Sequence, residues 1–156
     1  MALNPHDGRA RLRAVESVAV VLEREFGSTI AEWLRQVNLI PHLTDIVLSD
    51  VDRSGHLPQL FKDLISRLRL DRDVEPPTSA AAVEHGKVRF AQGYSVAMLV
   101  EESRIFQVST FGTLHVHQGK LDQDQMLLDV ITIADEADRQ LTQSVRSFVA
   151  AQQATA

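Results

Sequence analysis

The chain has 156 residues, 44% hydrophobic, 24% charged and 5% aromatic, with a formal net charge of -5 and no cysteine. That make-up fits one globular domain rather than a disordered tract. It argues against a nucleic-acid or anionic-membrane partner, and it excludes disulfides, thiolate metal sites and cysteine catalysis.

The first predicted helix covers residues 8–26, with Leu12, Val15, Ala19, Leu22 and Phe26 on one face and Gly27 ending it. The opening MALNPHDGRARLRAV has no signal-peptide core, and its Arg9, Arg11 and Arg13 are diluted by nearby acids. Thr29 to Glu32 matches a capping box that opens a second helix through Leu39, with Ile30, Trp33, Leu34 and Val37 inward. Pro41 stops it. A short helix over Thr44–Leu48 and a turn at Asp52–Gly55 follow. From Pro58 to about Leu70 a third helix turns Leu57, Leu60, Phe61, Leu64, Ile65 and Leu68 inward.

Residues 71–79, with Pro76-Pro77, form a linker. Helices are predicted over 80–92 and 96–116, joined by Gly93 as a C-terminal cap and Ser95 as an N-cap. The run Thr113–His117 alternates like a strand, but the apolar spacing before it is helical. After Gly119, Asp122 opens a last helix over 122–151, with an apolar seam at Leu127, Val130, Ala134, Leu141, Val145 and Phe148. The tail past it reads as frayed or as cut from something longer. The sum is an all-α bundle of five to seven helices with a long C-terminal helix, a single domain over 1–156. A globin-like arrangement stays open. No apolar run approaches the roughly 18 residues of a membrane span, so no membrane insertion is expected.

Chemistry-bearing motifs are sparse. Six histidines (His6, His42, His56, His85, His115, His117) show no helical metal spacing. His85 or His115 could face a haem, and His85 superficially resembles a phosphotransfer histidine. Glu101 and Glu102 diverge on a helix, and Asp135, Glu136 and Asp138 read as a solvated face. There is no nucleophile elbow, phosphate loop or dinucleotide motif. The chain is therefore expected to be non-catalytic, with no metal and no cofactor implied.

The most informative stretch runs from His85 through Arg89, Gly93, Tyr94, Ser95, Leu99 and Glu102 to Arg104. It resembles the N-terminal domain of RsbRD-type stressosome co-antagonists, a domain also found ahead of the catalytic modules of soluble bacterial sensor histidine kinases. The shared pattern is His, Arg four residues on, Gly-aromatic-Ser/Asp, then an aliphatic and a Glu-aromatic pair. Ser103 departs from it, standing where the aromatic is usual. The resemblance extends loosely over residues 25–150, including the Trp33 helix and Leu57 to Leu60. It implies a non-catalytic sensory or regulatory input domain that biases an attached kinase or partner complex. Independently, the three-four apolar seam of the last helix reads either as a homodimer contact that transmits a signal or as packing within its own bundle, and the absence of cysteine suits the cytoplasm.

Physically, Arg89 or His85 could pair with Glu102 across two antiparallel helices, with Tyr94 plugging the corner. The same His85, Arg89, Tyr94, Ser95, Glu102 and Arg104 could instead line a ligand pocket. A small-molecule or haem-binding helical sensor is thus the competing reading.

Overall fold

A computed structural model of the chain describes residues 15–156. Leu12, His6 and the Arg9–Arg13 cluster lie outside the described residues. Eight α-helical segments follow one another: α1 Val18–Arg24, α2 Phe26–Val37, α3 Pro41–Thr44, α4 Asp50–Ser54, α5 Leu57–Arg69, α6 Ala80–Ala91, α7 Val96–Val116 and α8 Gln123–Ala154. Two of these, α3 and α4, are single turns. Among the described residues there is no strand, only an isolated parallel bridge between Glu16 and Leu121. The all-α bundle with a long last helix is therefore the fold. No helix here is long and apolar enough to cross a membrane.

The N-terminal boundaries differ from the expectation. Ser17 caps α1 by accepting the Val20 N–H at 3.2 Å. The helix ends at Glu25, not at Gly27, which sits inside the first turn of α2. Val15 precedes the helix and is 65% exposed, so the stripe reduces to Ala19, Leu22 and Phe26. Thr29 caps nothing. It is buried within α2, its Oγ1 donating to the Glu25 carbonyl at 2.8 Å and lying 2.6 Å from Thr113 Oγ1 on α7. A hydroxyl that can bond back to its own helix and across to the next has no need of a helix end.

Between α2 and α5 the expected Thr44–Leu48 helix is absent. Pro41, with its fixed φ, starts α3 instead, and Ser49 caps α4 by accepting from Asp52 N–H at 3.1 Å. Gly55 ends α4 at φ +49°, where a Cβ would meet the Asp52 carbonyl at 3.3 Å. The remaining apolar faces agree with the reading. Trp33, Val37, Leu57, Phe61, Leu64 and Ile65 enter one core, where Phe61 stacks on Phe26 at 5.1 Å and meets Phe106 edge-on at 5.7 Å. Thr113–His117 is helical to Val116, and Asp122 caps α8 through the Asp124 N–H at 3.0 Å.

With 32 residues, α8 is about 48 Å long at 1.5 Å per residue. It packs against α6, α7 and α5. The approach to α6 is unusually close because of Gly86: a Cβ there would sit 2.0 Å from the Ser144 carbonyl oxygen. Ser144 and Ser147 donate to the Ala82 and Val83 carbonyls at 2.8 and 2.6 Å across the same contact.

The apolar seam on α8 divides. Leu127 is 68% exposed, and Leu128 and Ile131 beside it are also solvent-facing. Ala134 is half-buried, and Val130, Leu141 and Val145 are partly buried against the core. Phe148 is not a seam residue. It is buried and meets Phe90 of α6 edge-on at 5.3 Å. The turn of α8 that carries Phe148 is covered by α6, so its apolar face is already spent inside the chain.

Candidate functional site

The α6–α7 corner is a Schellman motif. Gly93, at φ +88°, donates to Phe90 O at 3.0 Å, and Tyr94 N–H reaches back to Arg89 O at 3.0 Å. Only glycine adopts that φ cheaply. The motif brings Tyr94 over Arg89, with the guanidinium 4.6 Å from the ring centroid. Ser95 then caps α7 by accepting from Met98 N–H at 3.3 Å.

From this corner Arg89, fully buried, spends its donors on α7, on α4 and on the cap of its own helix. Its Nε donates to Glu102 Oε2 at 3.2 Å, and Nη2 lies 3.1 Å from Glu102 Oε1. Its Nη1 donates to the Asp52 carbonyl at 3.0 Å and to Gln92 Oε1 at 2.7 Å. Nη2 also donates to the Arg53 carbonyl. Arg89 thus satisfies the last carbonyls of α4 while neutralising a buried carboxylate on α7. His85 Nε2 stands 3.3 Å from Glu102 Oε2, so both expected pairings with Glu102 occur together.

Three participants were not among the expected site residues. Arg53 is buried, and its Nη1 donates to the Leu43 carbonyl at 3.0 Å and to Tyr94 Oη at 3.3 Å, while Nη2 donates to Ile46 O at 2.6 Å. Trp33 Nε1 donates to the Glu102 carbonyl at 3.1 Å. His56 packs edge-on against His85 at 5.9 Å. An arginine in the apparent turn Asp52–Gly55 carries no periodicity, and only the three-dimensional approach of Tyr94 gives it a role. Burial pushes the Tyr94 hydroxyl up to about 12, with the Glu102 carboxylate adding to the effect and Arg89 opposing it. Burial also lowers the His56 imidazole, with His85 and Arg89 working in the same direction and Glu84 against.

Two of the expected site residues stay outside this cluster. Ser95 is an exposed cap, and Arg104 turns to solvent and pairs with Glu101 at 2.7 Å. His85 is only 8% exposed, which places it off any open phosphoacceptor face. His117 lies at the end of α7, 3.5 Å from Glu25. Among the described residues no group of three or more potential ligands could hold a metal. The acidic trio on α8 also splits: Asp135 and Asp138 are exposed, but Glu136 is 5% exposed and not part of a solvated face.

Beside Glu102 and His85 lies a cavity of about 40 Å³, walled by Trp33, Leu57, Leu99 and Phe106 with Gln140 and Ser144 as polar lining. That volume suits one or a few waters. It is far below the roughly 300 Å³ at which small-molecule sites begin, and a haem needs more still. Chemically the cluster is a lock. Its donors point at main-chain carbonyls, at the Glu102 carboxylate and at the side-chain oxygens of Gln92 and Tyr94. Comparison with protein-family models, with curated proteins and with solved structures returns no significant match, so the family resemblance rests on the quoted residues alone.

Proposed function

We propose that this chain is a non-catalytic input domain of a bacterial signalling protein, a cytoplasmic homodimer that passes changes in helix packing along α8 to an attached kinase or partner complex. The observation that carries the reading is the buried cluster itself. Arg89, Glu102, Arg53 and Tyr94 tie α2, α4, α6, α7 and the loop after α3 into one polar network. A packing switch of the kind proposed would act by re-pairing this network.

The division of α8 supports the same reading. Its C-terminal two-thirds follow the bundle, while Leu127, Leu128 and Ile131 leave an apolar stripe uncovered near its start. A second copy of the chain is the occupant proposed for that stripe, because a pair of such helices buries both at once. Light scattering on the purified chain tests it. A dimer is expected for the native sequence and a folded monomer for Leu127→Glu with Ile131→Glu, two sites outside the core. A native monomer, or a dimer indifferent to the double change, would overturn the dimer reading.

A further inference from the structure

A second cavity, of about 390 Å³, opens between one face of α5, the Pro76-Pro77 stretch and the first turn of α6, with Glu136 of α8 at its floor. Its size falls in the range of small-molecule sites, roughly 300–1,000 Å³. Leu70, Pro76, Pro77 and Ala80 supply its apolar wall, and Gln59, Asp63, Ser66 and Thr78 add polar lining. They are also fixed in place. Arg139 donates to Glu75 and to the Pro76 carbonyl, both at 3.2 Å, which pins the linker to α8. Ser79 caps α6, gives its hydroxyl proton to Asp63 Oδ2 at 2.7 Å and its N–H to Gln143 Oε1 at 3.0 Å.

The floor is incomplete. Glu136 is 5% exposed, and its Oε2 accepts no hydrogen bond. Arg67 Nε is buried beside it and donates none. The two atoms are 3.8 Å apart, beyond hydrogen-bonding reach of each other. Arg139 Nε is also 3.8 Å from Glu136 Oε2, and Gln140 reaches only the other oxygen, at 3.4 Å. Asp63 is fully engaged by Ser79 and by Gln59 Nε2 at 2.9 Å. Asp135 meets the outer nitrogen of Arg67 at 3.6 Å. One donor and one acceptor therefore stand side by side, buried, each without a partner. Buried polar atoms are normally satisfied, and those that are not need an explanation.

We propose that this cavity binds a neutral small molecule through an edge that carries a donor and an acceptor together, as a primary carboxamide, a lactam or a nucleobase does. The ligand's N–H goes to Glu136 Oε2 and its oxygen or ring nitrogen takes the Arg67 Nε proton, while its apolar body lies on Leu70 and the two prolines. Paired edges of this kind are recognised bidentately by paired side-chain groups elsewhere in biology. A carboxylate ligand is selected against, since its second oxygen faces Glu136 and Asp63 also lines the cavity; an ammonium meets Glu136 but leaves the Arg67 Nε proton without an acceptor. The site does not depend on the input-domain reading, and either can fail alone.

Benzamide is the probe, titrated into isotope-labelled protein and followed by NMR, with benzoate and benzylamine as counter-probes. The expected result is saturable shifts at residues 76–81 and at the Arg67 Nε resonance, with Kd on the order of 1 mM. Both counter-probes should bind about tenfold or more weakly, and Glu136→Leu or Arg67→Met should each weaken benzamide about tenfold. Ala80→Trp, on the exposed first turn of α6, fills the cavity mouth without touching the polar pair and should abolish binding. If a floor variant fails to fold, Ala80→Trp decides. Absence of saturable shifts in folded native protein, equal binding of benzoate, or binding untouched by Ala80→Trp would overturn the proposal.

Discussion

Two arginine–glutamate pairs are buried in this bundle, and they are built to different standards. Arg89 and Glu102 meet at 3.1 and 3.2 Å, and every remaining donor of Arg89 has a carbonyl or amide oxygen to bond, although Glu102 Oε1 itself accepts no hydrogen bond. Arg67 and Glu136 stand 3.8 Å apart, and one atom of each bonds to nothing. The first pair lies where four helical segments converge, so neighbouring carbonyls were within reach. The second lies under a linker of prolines, which lack N–H donors, and beside alanines with no side chain to offer. Burial of charge is thus met by a close ion pair with a well-bonded guanidinium in one place and by two loose contacts in the other. The close pair holds the helices in the arrangement that a packing switch would have to re-pair, and the loose pair has the character of a site.

The sharpest way to break this contrast is to remove one arginine at a time. Arg89→Met strands a buried carboxylate and several carbonyls, and the expected loss is about 3–5 kcal/mol in urea unfolding. Arg67→Met should cost only about 1 kcal/mol, because Arg139 and Gln140 still face Glu136 and the carboxyl can take up a proton. Equal losses would mean that the two pairs do the same work. A smaller effect is expected at Tyr94, whose hydroxyl bonds Arg53 at 3.3 Å. Tyr94→Phe should cost about 1 kcal/mol. Tyr94 is the only tyrosine, so its ultraviolet absorbance titrates without interference. The midpoint should lie near 12, as burial dictates; a midpoint near the free value of about 10 would show that the corner opens to water.

Much of the Arg89 cluster was legible in the sequence. The spacing of His85, Arg89, Gly93, Tyr94 and Glu102 already announced a helix, a glycine-capped corner and an antiparallel helix carrying the opposite charge. The backbone rules for glycine and for caps act over a few residues, so they survive in one dimension. Arg53 did not announce itself, because its partners at Leu43, Ile46 and Tyr94 are supplied by a loop and a distant corner. Gly86, in the interior of α6, has no local reason in the sequence for its place there. Its purpose, admitting the Ser144 carbonyl, exists only once α8 lies across it. Glu136 is the most instructive case. Flanked by Asp135 and Asp138 it looked solvated, yet it occupies the register shared with Ile133, Gln140 and Ser144, which faces inward. Local charge density concealed a helical period.

That misreading leads to the subtlest expected effect. Burial holds the Glu136 carboxyl above its ordinary 4.5, with Asp63 adding and Gln140, Arg139 and Arg67 opposing. A folded state that binds this proton more tightly gains stability from it below the unfolded value, and loses that gain as pH rises through the folded one. At neutral pH the native chain therefore carries an incompletely compensated charge that Glu136→Gln removes. The variant should unfold at slightly higher urea than the native chain at pH 7, and the advantage should vanish as pH falls toward 4.5. The matching change at the other pair, Glu102→Gln, should destabilise at neutral pH, because Arg89 then loses its counter-charge. Opposite signs for the same substitution on two buried glutamates would be the direct signature of one close pair and one loose pair. A loss of stability for Glu136→Gln at pH 7 would show that Arg67 and Arg139 compensate the carboxylate across 3.8 Å, leaving its bare oxygen no reason to seek a ligand.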